Sequence, residues 1–291
     1  MLKGPRYSVL VAVLASALVF LAGPVRAQPA PDANSVLIYS NSGTSSYSAA
    51  ATAKGFTVVT ATDAQWTARS TADFATFRAL IIGDPVCGGT VPPGPLSGAA
   101  TWAAAINGPK LFIGTDEVFH FSSGGGTFLA SGIGYVTSGG AGQTGAYVSL
   151  SCYYDSTTPA VPVPLLAPFG TFMVEGNLGC YDDAHIVAIH PALAGSTDAT
   201  LSNWSCSVHE VFRSFPSASF IPLVIARNIT GAGSLTFGDG SHGVPYILAS
   251  GGGIVPVGAP ATVPTMSEWA LILMGVLLAI SALFFLRRRK H

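Results

Sequence analysis

The residues of this chain with the means to do chemistry fall into two clusters. The first is Gly114-Thr115-Asp116-Glu117, with His120 one turn further on. The apolar run Lys110-Leu-Phe-Ile leads into it, and a strand that passes through a glycine straight into a helix has the geometry of a nucleophile elbow. The second cluster is Asp182-Asp183-Ala184-His185, His190 and His209-Glu210. Imidazoles and carboxylates in this number can bind a divalent cation or carry out general acid–base catalysis. Asp116, Glu117, His190 and Glu210 are therefore the candidate catalytic residues, and His185 and His209 the candidate metal ligands. His185 and His190 bracket a strand at odd spacing, which points their side chains to opposite faces and speaks against a shared site. Polar residues at strand ends and turns also account for the second cluster with no function at all. No cofactor is expected.

Cys87, Cys152, Cys180 and Cys206 show no Cys-x-x-Cys or Cys/His metal spacing. In an exported chain they read as two disulfides, with all three pairings open. Tyr153, Tyr154, Tyr181, Trp204 and Phe212 surround three of these cysteines, where aromatic rings either stack on sugars or pack over the bridges. The Gly/Ser-rich stretch Ser122 to Gly145 lacks the spacing of a phosphate-binding loop and reads as a flexible surface loop. Asn203-Trp-Ser205 and Asn228-Ile-Thr230 match the glycosylation pattern, which is usually silent in a bacterium.

The elements that must position these residues alternate in type. Apolar runs at 35–40, 56–60, 79–83 and 110–114 are separated by helical patterns at 45–54, 71–78 and 96–106. Near-continuously apolar strands with helical crossovers predict an α/β domain: an open, mostly parallel, flavodoxin-like sheet with helices on both faces. Further strands are expected at 147–151, 172–174, 186–189, 221–225 and 246–249. Ligands of such sheets sit at the C-terminal strand ends, here Ser40-Asn41-Ser42-Gly43, Gly83-Asp84 and Gly114 to Glu117.

The two ends of the chain are addresses. Lys3 and Arg6, an apolar stretch from Tyr7 to Ala22, and Val25-Arg26-Ala27 form a cleavable secretory signal over residues 1–27. The exported domain occupies 28–250, followed by a Gly/Pro/Ala linker at 251–262. Residues 269–286 carry no charge and as a helix would span about 27 Å, enough to cross a bilayer. Arg287, Arg288, Arg289 and Lys290 form a basic stop on the cytoplasmic side, which gives a type I topology. The net charge of −1 hides this division. Each end contributes +3, and residues 28–263, with 6 basic and 13 acidic side chains, contribute −7. A nucleic-acid partner is excluded by that acidic body. The 34 glycines and 20 prolines, spread through polar stretches, exclude a polytopic transporter.

Val263-Pro264-Thr265-Met266-Ser267-Glu268-Trp269-Ala270, with the span and the basic tail behind it, resembles the IPTL-CTERM type of exosortase sorting signal over residues 263–291. Pro264, Thr265 and Trp269 match its I-P-T-L-x-x-W-G pattern outright, while Val263, Met266 and Ala270 are conservative departures. The resemblance implies a bacterial envelope protein whose partners are the Sec machinery, signal peptidase, the membrane and an exosortase-type protease or transpeptidase. It names no ligand for the ectodomain.

Between residues 35 and 230, the order of strands, His190-Pro191 with Gly195, and His209-Glu210-Val-Phe212 resemble the class I glutamine-amidotransferase-like fold. The closer likeness is to its trehalose-utilisation (ThuA-like) relatives. Thr115-Asp116 stands where that fold carries its cysteine nucleophile, and Ala192 where a Glu should follow His-Pro. Without the thiolate, glutaminase chemistry is excluded. The leading expectation is an exported binding or structural module without catalysis. The rival is an exported hydrolase, possibly carbohydrate-active, using Asp116, Glu117 and His190 at the sheet edge.

Overall fold

Apolar runs too short for helices, bounded by turn residues, become the strands of one large sheet. The computed structural model describes residues 33–40, 45–83, 87, 90–250 and 255–256. The signal, the linker, the sorting motif, the span at 269–286 and the basic tail lie outside the described residues, the strand at 255–256 apart. Among the described residues, no helix is long and apolar enough to cross a membrane.

The first half runs β1 (Ser35–Tyr39), α1 (Ser45–Ala53), β2 (Thr57–Ala61), α2 (Asp63–Thr67), α3 (Thr71–Phe74), β3 (Ala79–Ile82), α4 (Pro93–Ser97), α5 (Ala99–Ala103), β4 (Lys110–Ile113), α6 (Gly125–Val136) and β5 (Gly145–Ser149). The second half is β6 (Val161–Pro162), β7 (Met173–Glu175), β8 (Ala184–Ile186), β9 (Ala188–Ile189), α7 (Asp198–Leu201), β10 (Val211–Ser214), β11 (Ile221–Arg227), β12 (Leu235–Thr236), β13 (His242–Ser250) and β14 (Val255–Pro256). Thr62 and Ser70 start α2 and α3 with capping boxes, each closed by the side chain at the third helical position.

The large sheet has the order β2-β1-β3-β5-β4-β13-β11-β8, with β12 on β13. Its first five strands pair in parallel, and the rest are antiparallel. The expected α/β class with a parallel core is therefore present. The strand order departs from the flavodoxin-like 2-1-3-4-5. The wholly apolar middle of β13 takes the outer edge of β4, which leaves β5 the gap between β3 and β4.

Alternation along the strands divides the core into two faces. Val36, Ile38, Ile81, Leu111 and Tyr147 meet α1 and α6 through Tyr47, Phe128, Leu129 and Ile133. Leu37, Leu80, Ile82, Phe112 and Val148 meet Trp66 of α2, Phe74 of α3 and Trp102 of α5. A small antiparallel sheet, β10-β7-β6, shares that second face through Phe212 and Val174.

Two helical expectations need correction. The pattern at 96–106 is two short helices that meet at Gly98. The stretch read as a flexible loop contains α6, the longest helix described, whose Phe128, Leu129, Ile133 and Val136 are buried. Its glycines serve close packing instead of flexibility. A Cβ on Gly132 would lie 2.8 Å from both Leu111 and Tyr147, and one on Gly125 only 2.0 Å from the Glu117 carbonyl.

Phe112 stands at the centre of the second face, with ring centroids 5.3 Å from Phe169, 5.6 Å from Phe172 and 4.9 Å from Phe220. Truncating it leaves those rings around a void. Phe112→Ala is expected to lower unfolding free energy by about 3–5 kcal/mol in urea titration, with an unchanged slope.

Candidate functional site

The C-terminal end of β4 is built by a close backbone crossing. The Gly114 carbonyl accepts hydrogen bonds from the amides of His209 (3.2 Å) and Glu210 (3.1 Å). A Cβ on Gly114 would lie 2.3 Å from the Glu210 carbonyl, so only glycine lets the second half of the chain cross here. The crossing lays His209-Glu210 over Asp116-Glu117, and Asp116, Glu117 and Glu210 are all wholly buried. The expected elbow does not form, because the chain turns after β4 and enters α6 only at Gly125. Asp116 holds that turn: its Oδ1 accepts from the Phe119 amide at 2.8 Å and its Oδ2 from Ser151 Oγ at 3.0 Å.

Glu117 is held by hydroxyl groups. The hydroxyls of Tyr47 (3.0 Å) and Tyr147 (2.8 Å) donate to its Oε1. Ser149 Oγ lies 3.1 Å from its Oε2 and 2.8 Å from the Thr115 carbonyl. A carbonyl only accepts, so when Ser149 gives its one proton to Thr115, the proton between Ser149 and Oε2 belongs to Glu117. Burial, followed by the charge of Asp116, pushes the Glu117 carboxyl up to about 7. Glu210 is displaced the same way by burial, then by Asp155 and Asp116, and its two oxygens have no hydrogen-bond partner among the described residues.

The structure keeps His190 apart from these acids. Its Nδ1 accepts from the Ala192 amide, and its ring meets Tyr135 edge-on at 4.4 Å. The Tyr135 hydroxyl reaches the carbonyl of Ser250, which pairs with Lys110, the first residue of β4. His190 therefore lies beside the N-terminal end of β4, a strand's length from Asp116 and Glu117. His185 is held at both ring nitrogens, by Asp198 at 2.6 Å and Asp239 at 2.8 Å, which leaves no lone pair for a metal. Asp183 pairs with Arg227, and Asp182 accepts from Ser207.

The cysteines pair as Cys87–Cys152 and Cys180–Cys206. Cys87, Cys152 and His209 bring potential ligand atoms within 4.8 Å of one another, but sulfurs bonded to each other offer no thiolate. Trp204 and Phe212 are buried core rings, with Trp204 stacked on His120 at 5.5 Å, and neither forms an open platform for a sugar. A cavity of about 620 Å³ runs along α6 between Lys54, Phe121, Thr127 and Pro191, and another of about 320 Å³ lies between Cys87, Asp155, Asn177, Cys180, Cys206 and His209. Neither is lined by Asp116, Glu117 or Glu210.

Residues 261–289 match the IPTL-CTERM motif. That places a C-terminal sorting signal of an exported protein on this chain, and it implies processing by an exosortase-type membrane enzyme. The match takes in Pro264, Thr265, Trp269 and Arg287 to Arg289. No curated protein and no solved structure matches the chain.

Sequence reasoning missed Tyr47, Tyr147, Ser149 and Ser151, the groups that hold the acids. The alternation of Tyr147, Ser149 and Ser151 was the available signal, since positions two apart share one face of a strand.

The acids and His185 give the fold a pH dependence with a definite sign. Glu117 is neutral in both states below its ordinary value near 4.5, and folding then loses free energy as pH climbs to about 7, on the order of 3 kcal/mol in all. His185 is displaced upward: burial alone lowers it, but Asp239 and Asp198 outweigh that. Its contribution is complete below the ordinary histidine value and is lost as pH rises through the folded value. Urea unfolding at pH 4.5 and 7.5 should show Glu117→Gln losing on the order of 3 kcal/mol less than the parent chain over this interval. An equal loss in both proteins would mean that Glu117 does not titrate there. His185→Asn should likewise flatten the decline that remains above pH 6.5.

Proposed function

We propose that this chain is an exported protein of the bacterial cell envelope, processed or anchored through its C-terminal signal by an exosortase-type membrane enzyme. Its ectodomain is a non-catalytic binding or structural module. The observation that carries the envelope assignment is the IPTL-CTERM match at 261–289. The secretory pattern of residues 1–27 agrees with it, as do two disulfides, which persist outside the reducing cytoplasm. Each part of the tail has a physical task. Proline has no amide hydrogen to donate, tryptophan suits a membrane interface, and a run of cations stops translocation.

The non-catalytic reading is supported by the setting of the acids. Asp116 and Glu117 are wholly buried and held by hydroxyls and an amide, and His190, the base a hydrolase would use with them, packs on Tyr135. The amidotransferase-like resemblance has no support from curated proteins or solved structures, and the turn after β4 carries no thiol. One observation favours the rival hydrolase, possibly carbohydrate-active: Glu210 is a buried acid with both oxygens unpartnered. A glycosidase activity abolished by Glu210→Gln, with folding intact, would decide for that rival.

Mass spectrometry of the mature protein from its native envelope tests the sorting claim. The expected C-terminus lies near the Pro264 to Trp269 motif, without the tail from Arg287. Pro264→Ala should leave the tail attached, deletion of residues 287–290 should leave residues 269–286 attached, and either variant should stay at the inner membrane. An intact tail on correctly localised parent protein would overturn processing.

A further inference from the structure

The Cys87–Cys152 bridge joins an exposed residue to a buried one. His209 Nδ1 lies 3.0 Å from the Ser151 carbonyl and 2.8 Å from Cys152 Sγ. The carbonyl can only accept, so Nδ1 carries the proton and presents the same N–H to the Cys152 sulfur. Cys87 and His209 both line the cavity of about 320 Å³, which gives an incoming group a path to the exposed end of the bridge. Cys180–Cys206 borders the same cavity, where Cys180 Sγ lies against the Ser205 carbonyl and His209 meets Cys206 at its backbone.

We propose that Cys87–Cys152 is a thiol–disulfide exchange site, in which a thiolate attacks Cys87 Sγ and Cys152 leaves as a thiolate held by His209 Nδ1–H. In this first step the incoming sulfur bonds to Cys87 while the Cys87–Cys152 bond breaks, and its electron pair departs with Cys152. The product is a mixed disulfide with no net oxidation. A second thiolate of the same class then attacks the incoming sulfur and releases Cys87 as a thiolate. Over both steps two thiols become one disulfide and the bridge gains two electrons, with the protons of the two thiols passing to Cys87 and Cys152. An N–H donor at the leaving sulfur lowers its basicity, and a less basic thiolate leaves faster. The substrate is a thiol, supplied either by a small cysteine compound or by a protein cysteine.

The test uses the intact, fully oxidised chain. One arm adds glutathione and the other a reduced, unfolded cysteine-containing protein, each followed by acid quench and peptide mapping. The expected adduct is on Cys87 with Cys152 free, forming about tenfold faster than Cys180–Cys206 opens. Reaction in the glutathione arm alone assigns a small thiol, in the protein arm alone a protein cysteine, and either supports the site. His209→Gln should slow opening at Cys87 about tenfold and leave Cys180–Cys206 unchanged, so the second bridge reports on folding within the same molecule. Adducts on Cys152 or Cys180 first, equal rates at the two bridges, or no adduct in either arm would overturn the proposal. So would an unchanged rate in a folded His209→Gln. The position of the adduct decides on the unaltered protein even if the variant does not fold.

Discussion

A carboxyl group without a cation, wholly buried at the end of a parallel strand, is the constraint around which the ectodomain is organised. Glu117 can sit there only because Tyr47 from α1, Tyr147 from β5 and Ser149 supply the hydrogen bonds that water would otherwise give. Those contacts fix the distances of α1 and β5 from the turn after β4. They also fix the start of α6, since the Glu117 carbonyl leaves no room for a Cβ at Gly125. Removing the carboxyl would strand the hydroxyls of Tyr47 and Tyr147 in a dry interior, while Ser149 would keep the Thr115 carbonyl. Neutralising it would not, because a protonated acid donates to Ser149 and keeps accepting from both tyrosines.

The disulfides follow from the same arrangement. Cys87 comes after β3 and Cys152 after β5, and these strands are direct neighbours in the sheet, so their C-terminal ends emerge side by side. Had β4 stood between them, as in a flavodoxin-like order, that pairing would have had to reach across a strand. Cys180–Cys206 staples the irregular second half beside the single antiparallel bridge of Tyr181 with Val208. Cys180–Cys206 closes a segment of short elements, β8, β9 and α7, whereas Cys87–Cys152 ties together the ends of a segment that holds β4, α6 and β5. The crossing at Gly114 carries His209, just beyond Cys206, to the first bridge.

The parallel core could be read from the residues because strands such as Val36 to Tyr39 and Ala79 to Ile82 are apolar on both faces, and only burial on both faces produces that pattern. What could not be read was spatial. Gly132 looks like a helix breaker until Leu111 and Tyr147 are seen to press against it, so α6 was hidden by the residues that allow it to pack. The strand order depended on β13 taking the edge of β4, a pairing between segments far apart in the chain. The candidate site was half visible for the same reason. Asp116 and Glu117 announced themselves as acids at a strand end, and the crossing at Gly114 brought Glu210 to them. His190, similar in type, lies at the other end of β4, because the chemical identity of a side chain says nothing about which end of a sheet its loop will reach.

Few of the interactions that hold this domain depend on surface charge. The described ion pairs are those of Arg213 with Glu175, Arg227 with Asp183, and His185 with two aspartates, all in the second half. Such partly exposed pairs contribute little and weaken with salt. Apolar faces, hydroxyl-bound acids and two covalent bridges carry the load instead, and salt screening leaves these largely unaffected. A polypeptide that folds after crossing a membrane meets ionic conditions the cell does not control. For such a chain, a body with only 6 basic residues between its two cationic ends is a coherent solution. The cations of the sequence are concentrated at its two ends, and the body between them folds with few of them.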